Sequence, residues 1–172
     1  MTRIRSGAVV TGLVAAALAV VGVLAAQAPG IPAPPVAAAA RPAGDRQGLP
    51  ADSGTGSRVV YSVGQARVWL VGDHDAVLRT YRVTAGGLAP SPGSHTVFAR
   101  GAQGRGGDGE PVEHVVLFAA TDGTNVGFSA ALNGSLGPHV PDRRSGAIRQ
   151  TRADGAALWQ RAAIGSDIEV VP

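Results

Sequence analysis

The chain beyond residue 57 consists of short apolar stretches separated by turns rich in glycine, proline and aspartate. Between residues 65 and 71 apolar and polar side chains alternate, which predicts a strand with Ala66, Val68 and Leu70 on one face. This period of two is typical of half-buried β-strands. The strands predicted in this way are residues 58–62, 65–71, 76–84, 95–100, 112–120, 125–130 and 166–171.

The turn residues Gly72–Asp75 join two of these strands into a predicted hairpin, in which Trp69 and Tyr81 are expected to pack within a sheet. Loops are predicted over residues 84–93 and 101–109.

One short helix is predicted near the end of the chain. Thr151–Asp154 has the order of polar residues that caps a helix N-terminus. Leu158, Trp159 and Ala162 would form its apolar face, and Ile164–Gly165 would end it.

The first 56 residues differ from the rest. Arg3 and Arg5 precede the uncharged stretch 6–28, the arrangement of an export signal, with Ala26–Ala28 as a cleavage site. Residues 7–26 are also long enough to remain as a membrane anchor. In both cases the remainder is expected to be exported, either cell-wall associated or anchored on the outer face of the cytoplasmic membrane.

Residues 29–56 are rich in proline and alanine and then in glycine, serine and aspartate, which predicts a disordered linker. The folded domain is therefore expected over residues 57–172.

The composition excludes several classes of function. After Ala28 the chain has 13 arginines against 12 acidic residues, and the acids are dispersed among the arginines, so a nucleic-acid partner is not expected. The chain has no cysteine, and its four histidines are 19 to 25 residues apart, so neither disulfides nor a metal site is predicted. Gly104–Gly109 reads G-x-G-x-x-G but precedes a strand and not a helix, which predicts a flexible surface loop and no cofactor.

Two segments carry a resemblance to a known family. Arg144–Arg149 reads R-S-G-A-I-R just before the predicted helix, and Gly127–Ser129 lies upstream, with 14 residues between Ser129 and Arg144. In order and spacing they resemble the S-H-G-C-x-R active-site loop and the G-[FI]-H strand of the L,D-transpeptidase (YkuD-like) family. Similar matches at Arg67–Val71, at Arg79–Val83, at Pro90–Val97 and in the closing helix and strand extend the resemblance over about residues 58–171.

The resemblance implies a mainly β fold, a β-sandwich or barrel of short strands with one short C-terminal helix. It also implies that Ser129 and Ser145 stand where the family has two histidines, and that Ala147 stands where it has the nucleophilic cysteine. Acyl transfer needs a nucleophile, a base and oxyanion donors, and the methyl group of Ala147 cannot attack a carbonyl. Loss of nucleophile and base costs on the order of 10⁶ in turnover. These three positions are therefore interpreted as degenerate and the chain as a pseudoenzyme.

Three functions remain open. In the first, the exported domain binds a peptidoglycan stem peptide without turnover, through Phe128, Gly146, Ala147 and Arg149, because backbone donors survive the loss of side chains. In the second, the groove is vestigial and the domain binds another envelope protein. In the third, of lowest weight, a serine acts in hydrolysis, with His139 as the nearest histidine to Ser145 in sequence. Membrane contact is expected only through residues 7–26, if they are retained.

Overall fold

The computed structural model describes residues 48–137 and 144–172. The predicted export segment, most of the predicted linker, His139 and Arg143 lie outside the described residues. Within the two described ranges, no helix is long and apolar enough to cross a membrane.

The described residues form ten strands and one α-helix. In chain order they are β1 (Arg58–Ser62), β2 (Arg67–Val71), β3 (Val77–Arg82), β4 (Thr84–Ala85), β5 (Gly93–Thr96), β6 (Ala99–Arg105), β7 (Pro111–Thr121), β8 (Thr124–Ala131), β9 (Gly146–Gln150), α1 (Arg152–Arg161) and β10 (Asp167–Val171).

The strands assemble into two five-stranded mixed sheets. The first has the order β3-β2-β1-β10-β5 and the second the order β4-β9-β8-β7-β6. Each sheet contains one parallel pair, β1 with β10 and β8 with β9, and its other pairs are antiparallel. The mainly β fold with a single C-terminal helix, expected from the resemblance, is confirmed.

A continuous apolar core lies between the two sheets. Its residues alternate along the strands, so that Val68 and Leu70 of the first sheet face Phe128 and Ile148 of the second. Tyr61 meets Phe128 edge to face, with ring centroids 5.8 Å apart. Removing these side chains from water is the main stabilising contribution, about 1.5–3 kcal/mol for each large one.

A second apolar cluster contains Trp69, Val60 and Val71, on the alternate positions of β1 and β2. Leu49 packs against this cluster. The carbonyl of Ser53 accepts a hydrogen bond from Arg58. Residues 48–53, at the end of the predicted linker, thus contact the domain, and its packed part starts ahead of residue 57.

The helix begins where its sequence predicts but ends at Arg161, before the predicted end at Ile164–Gly165. The Thr151 hydroxyl accepts the amide proton of Asp154 at 3.1 Å and so caps the helix N-terminus. Leu158 and Ala162 are fully buried in the central core, and Trp159 packs beside them.

The predictions of a strand over residues 95–100 and of a flexible loop over residues 101–109 are wrong. The first segment is interrupted at Val97–Phe98, and its two halves, β5 and β6, belong to different sheets. The second is not a flexible loop, because Gly101–Arg105 continues β6 and pairs with β7. Its glycines have low strand propensity, but backbone pairing with an adjacent strand needs no side chain. Only residues 106–109 form the turn between β6 and β7.

The predicted loop over residues 84–93 also contains a strand, since Thr84–Ala85 pairs with Ile148–Arg149. The segment before the helix, predicted as a basic loop, is strand β9 from Gly146 onward. It forms a strand because β8 pairs with it on one side and β4 on the other.

Candidate functional site

The parallel pair of β8 and β9 brings the two segments of the sequence resemblance side by side. Ser129 is in register with Arg149, and Gly127 with Ala147. Side chains on a strand alternate between its faces. Positions 127, 129, 147 and 149 therefore lie on the face of the second sheet that points away from the core, and Ile148 and Phe128 point into it.

Gly146 allows this close pairing. A β-carbon at residue 146 would lie 2.4 Å from the carbonyl oxygen of Asn125, so no larger residue fits there. On the other side of β9 the Gly86 amide donates to the Ala147 carbonyl at 2.8 Å, and the Leu88 amide donates to the Ser145 carbonyl at 3.1 Å. These bonds fix the main chain around residue 147.

The guanidinium of Arg149 is buried and bonded to two side chains of its own domain. Its side chain is 4% exposed. One nitrogen, Nη1, donates to Ser129 Oγ at 3.1 Å, and the other, Nη2, donates to Asp108 Oδ2 at 2.5 Å. A buried cation needs such partners because desolvation without them costs several kcal/mol.

Asp108 is held in its ionised form by this contact. Partial burial acts to raise the pKa of Asp108, but the hydrogen bonds from Arg149 and from the Glu110 amide outweigh it, and the pKa lies below the ordinary carboxyl value. Asp108 belongs to the turn between β6 and β7, 41 residues from Arg149 along the chain.

This turn packs closely over the site. A β-carbon at Gly106 would lie 2.7 Å from Arg149 Nη2, and one at Gly107 would lie 3.0 Å from Ser145 Oγ. The two glycines therefore let the backbone approach both side chains. The G-x-G-x-x-G string was predicted as a surface loop without a role, and in the structure its turn forms one wall of the site.

Ser145 is buried, and its hydroxyl accepts a hydrogen bond from the Ala147 amide at 3.3 Å. That amide is one of the donors expected to hold a ligand carbonyl, and it already has an acceptor within the domain. Ser129 is likewise buried and accepts its hydrogen bond from Arg149.

A groove of about 320 Å³ opens beside these residues. Its surface is mostly apolar, and the polar side chains on it are those of Arg105, Thr124, Asn125 and Ser129. The apolar and backbone surface comes chiefly from Val112, Val115, Leu117, Gly127, Gly146 and Ala147. The volume is at the lower end of the range for ligand pockets.

Of the four residues predicted to bind a peptide, Phe128, Gly146 and Ala147 line this groove, and Arg149 does not. The Phe128 side chain is fully buried in the core, stacked on Phe118 with ring centroids 5.0 Å apart, so it supports the strand from behind. Arg149 lies behind the Gly106–Gly107 turn and is occupied by Asp108. The sequence reasoning missed Asp108, although a buried arginine on β9 requires an acidic partner from elsewhere in the chain.

Among residues 48–137 and 144–172, no hydrogen bond joins Ser129 or Ser145 to a histidine. The same residues contain no group of three or more His, Asp, Glu or Cys side chains placed to hold a metal ion.

Solved structures share this architecture. The L,D-transpeptidase (Yku) of Stackebrandtia nassauensis aligns over 76% of this chain and 62% of its own length, at 16% identity and a TM-score of 0.53. L,D-transpeptidase 1 of Mycobacterium tuberculosis aligns over 69% and 63%, at 18% identity and a TM-score of 0.50. The catalytic domain of the E. faecium L,D-transpeptidase aligns over 67% and 96%, at 19% identity and a TM-score of 0.50. The domain has the L,D-transpeptidase fold.

The chain spans less than two thirds of the first two of these structures. No protein-family model and no curated protein matches its sequence. Within the L,D-transpeptidase fold, β8 and β9 carry the segments Gly127–Ser129 and Arg144–Arg149, on which the sequence resemblance rests.

Proposed function

We propose that this chain is an exported, non-catalytic protein of the L,D-transpeptidase fold whose groove binds peptidoglycan stem peptides in the cell envelope. The observation that carries the proposal is the groove above the parallel β8–β9 pair, with the methyl group of Ala147 on its surface where the resemblance implies a cysteine. The fold and the groove favour a peptide ligand, and the lack of a nucleophile at residue 147 favours binding without turnover.

The stem peptide is proposed from the resemblance, which implies that active relatives take a peptidoglycan tetrapeptide stem as acyl donor. The groove suits a short extended segment, because strand backbone and apolar side chains line it. Export is proposed from the basic and then apolar order of the first 28 residues.

Co-sedimentation of the purified chain with peptidoglycan sacculi tests the proposal. Ala147→Trp places a large ring in the groove and is expected to reduce the bound fraction at least several-fold. Val77→Trp is the matched control, because Val77 is exposed on β3 of the other sheet, and it should bind like the unchanged chain. Equal binding by the unchanged chain and Ala147→Trp would show that the groove is not the binding site.

A second candidate is an interaction module for another envelope protein, with a groove that no longer binds peptide. It is favoured by one observation, namely that Arg149 and the Ala147 amide, both suited to hold a ligand, are engaged within the domain. Photo-crosslinking from residue 147 in cells separates the two. One captured protein together with no sacculus binding would favour this module.

A further inference from the structure

We infer that Asp108 is a resident carboxylate that occupies the anion-binding position of Arg149, so that the groove selects ligands without a carboxylate at this point. The inference rests on the proposed function and makes it more specific: the preferred stem peptide is one whose end near Arg149 is neutral. Asp108 is thereby assigned as a residue that determines specificity.

The charge of Arg149 is already paired with that of Asp108. Arg149 is the cation beside the groove with a buried guanidinium, and its Nη2 is bonded to Asp108 at 2.5 Å. An arginine in this setting would otherwise favour a ligand carboxylate, since charge-assisted bonds of this type are about twice as strong as neutral ones. With Asp108 bonded to Arg149, a second carboxylate at this point would meet the negative charge of the first.

The turn that carries Asp108 also restricts access to Arg149. Gly106 and Gly107 bring the turn so close to Arg149 and Ser145 that even one added carbon would collide with atoms of the site. The Asp108 carboxylate is further fixed by the Glu110 amide, which donates to Oδ1 at 3.2 Å. A ligand carboxylate can therefore reach Arg149 only by displacing Asp108 and the turn that carries it.

The Ala147 amide is also bonded within the domain. It donates to Ser145 Oγ, so this main-chain donor is also occupied from within the domain. Neither Arg149 nor the Ala147 amide is left to bind an anionic group at this point, whereas burial of a neutral group against Val112, Val115 and Leu117 remains favourable. Arg105, which also lines the groove, donates to the Gly109 carbonyl at 3.1 Å.

Two measurements on the full chain test the inference. The first compares Asp108→Ala with the unchanged chain in thermal unfolding with increasing sodium formate, against sodium chloride at equal ionic strength. Formate should fill the space left by the deleted carboxylate and raise the melting temperature of Asp108→Ala selectively, because a ligand of the folded state stabilises it. The control Asp122→Asn removes an exposed carboxylate, 3.7 Å from Arg144, and should show no formate effect. An equal rise in the unchanged chain, or no rise in Asp108→Ala, would overturn the inference.

The second measurement compares two stem tetrapeptides that differ only in a free or amidated C-terminus. The unchanged chain and Asp122→Asn should bind the amidated peptide at least as tightly as the free acid. In Asp108→Ala the affinity for the acid relative to the amide should rise by about tenfold, which is the effect of one charge-assisted contact. A preference of the unchanged chain for the acid contradicts the inference. If no variant binds either peptide but formate still raises the melting temperature of Asp108→Ala, the role of Asp108 as a resident carboxylate is supported and the proposed function fails.

Discussion

Gly107 lies directly over Ser145, so close that a β-carbon on the glycine would be 3.0 Å from the serine hydroxyl. Ser145 is itself only 3% exposed, so a larger side chain at residue 145, one of the two positions where the resemblance implies a histidine, would press against this turn. A histidine introduced there would therefore require the turn to shift.

The triple variant Ser129→His, Ser145→His and Ala147→Cys is accordingly expected to release no D-alanine from a tetrapeptide stem. The imidazole at residue 145 would be forced against Gly107, and such overpacking costs about 1–3 kcal/mol in the free energy of unfolding. Chemical denaturation of Ser145→His alone measures that cost. Measurable D-alanine release by the triple variant would mean that the turn moves aside readily.

Single cysteines can report the geometry of the groove, because the chain has none of its own. Ala147→Cys should react with a maleimide under native conditions, since residue 147 lines the groove. Its neighbour Ile148 is 1% exposed and faces the core, so Ile148→Cys should react only after unfolding. Similar rates for the two variants would contradict the strand register of β9.

Asp108→Asn should lower stability near neutral pH by about 1–3 kcal/mol, because it leaves the buried Arg149 without its anionic partner. The pKa of Asp108 in the folded protein lies below its ordinary value of 3.8, so the carboxylate stabilises the fold above that pH. The stabilisation is lost as the pH falls through the lowered folded pKa.

Urea unfolding of Asp108→Asn and the unchanged chain at several pH values checks this sign. The difference in the free energy of unfolding between the two proteins should be largest near neutral pH. It should shrink toward strong acid, where protonated aspartic acid resembles asparagine. The surface variant Asp122→Asn provides the baseline, and a gap that grew toward acid pH would contradict the ion pair.

The two tyrosines should respond in opposite ways to loss of the hydroxyl. The Tyr61 hydroxyl is buried and has no hydrogen-bond partner among the described residues, so Tyr61→Phe is expected to stabilise the fold by about 1 kcal/mol. Tyr81 donates to Gln150 Oε1 at 2.8 Å, and Tyr81→Phe should cost about 1–3 kcal/mol because the Gln150 amide would be buried without a partner.

Alkaline unfolding gives an independent check on Tyr61. Burial raises the pKa of Tyr61 to about 12, against 10.0 when unfolded, so the fold loses stability as the pH rises through this interval. Tyr61→Phe should remove that part of the loss. An unchanged alkaline profile in Tyr61→Phe would show that the hydroxyl reaches solvent.

Local sequence patterns predicted the strands and the helix whose side chains have a strong preference for that secondary structure. The β-branched strands β1, β2 and β10 and the cap at Thr151 were recognisable because propensity and burial agree there. By contrast, β6 is made of alanine, glycine, glutamine and arginine and forms a strand only because β7 pairs with it. β9 is defined in the same way by its neighbours, and the contact of Asp108 with Arg149 joins positions 41 residues apart. Such relationships arise from tertiary pairing, which no local window contains.

The position of β10 has a consequence for the order of events during synthesis. Since β10 lies between β1 and β5, those two strands have no common neighbour until residues 167–171 have left the ribosome. A nascent chain stalled before this point holds the β1–β3 meander and β5 as separate pieces. Closure of the first sheet therefore depends on β10, and a truncation before Asp167 would leave β5 with no partner in that sheet.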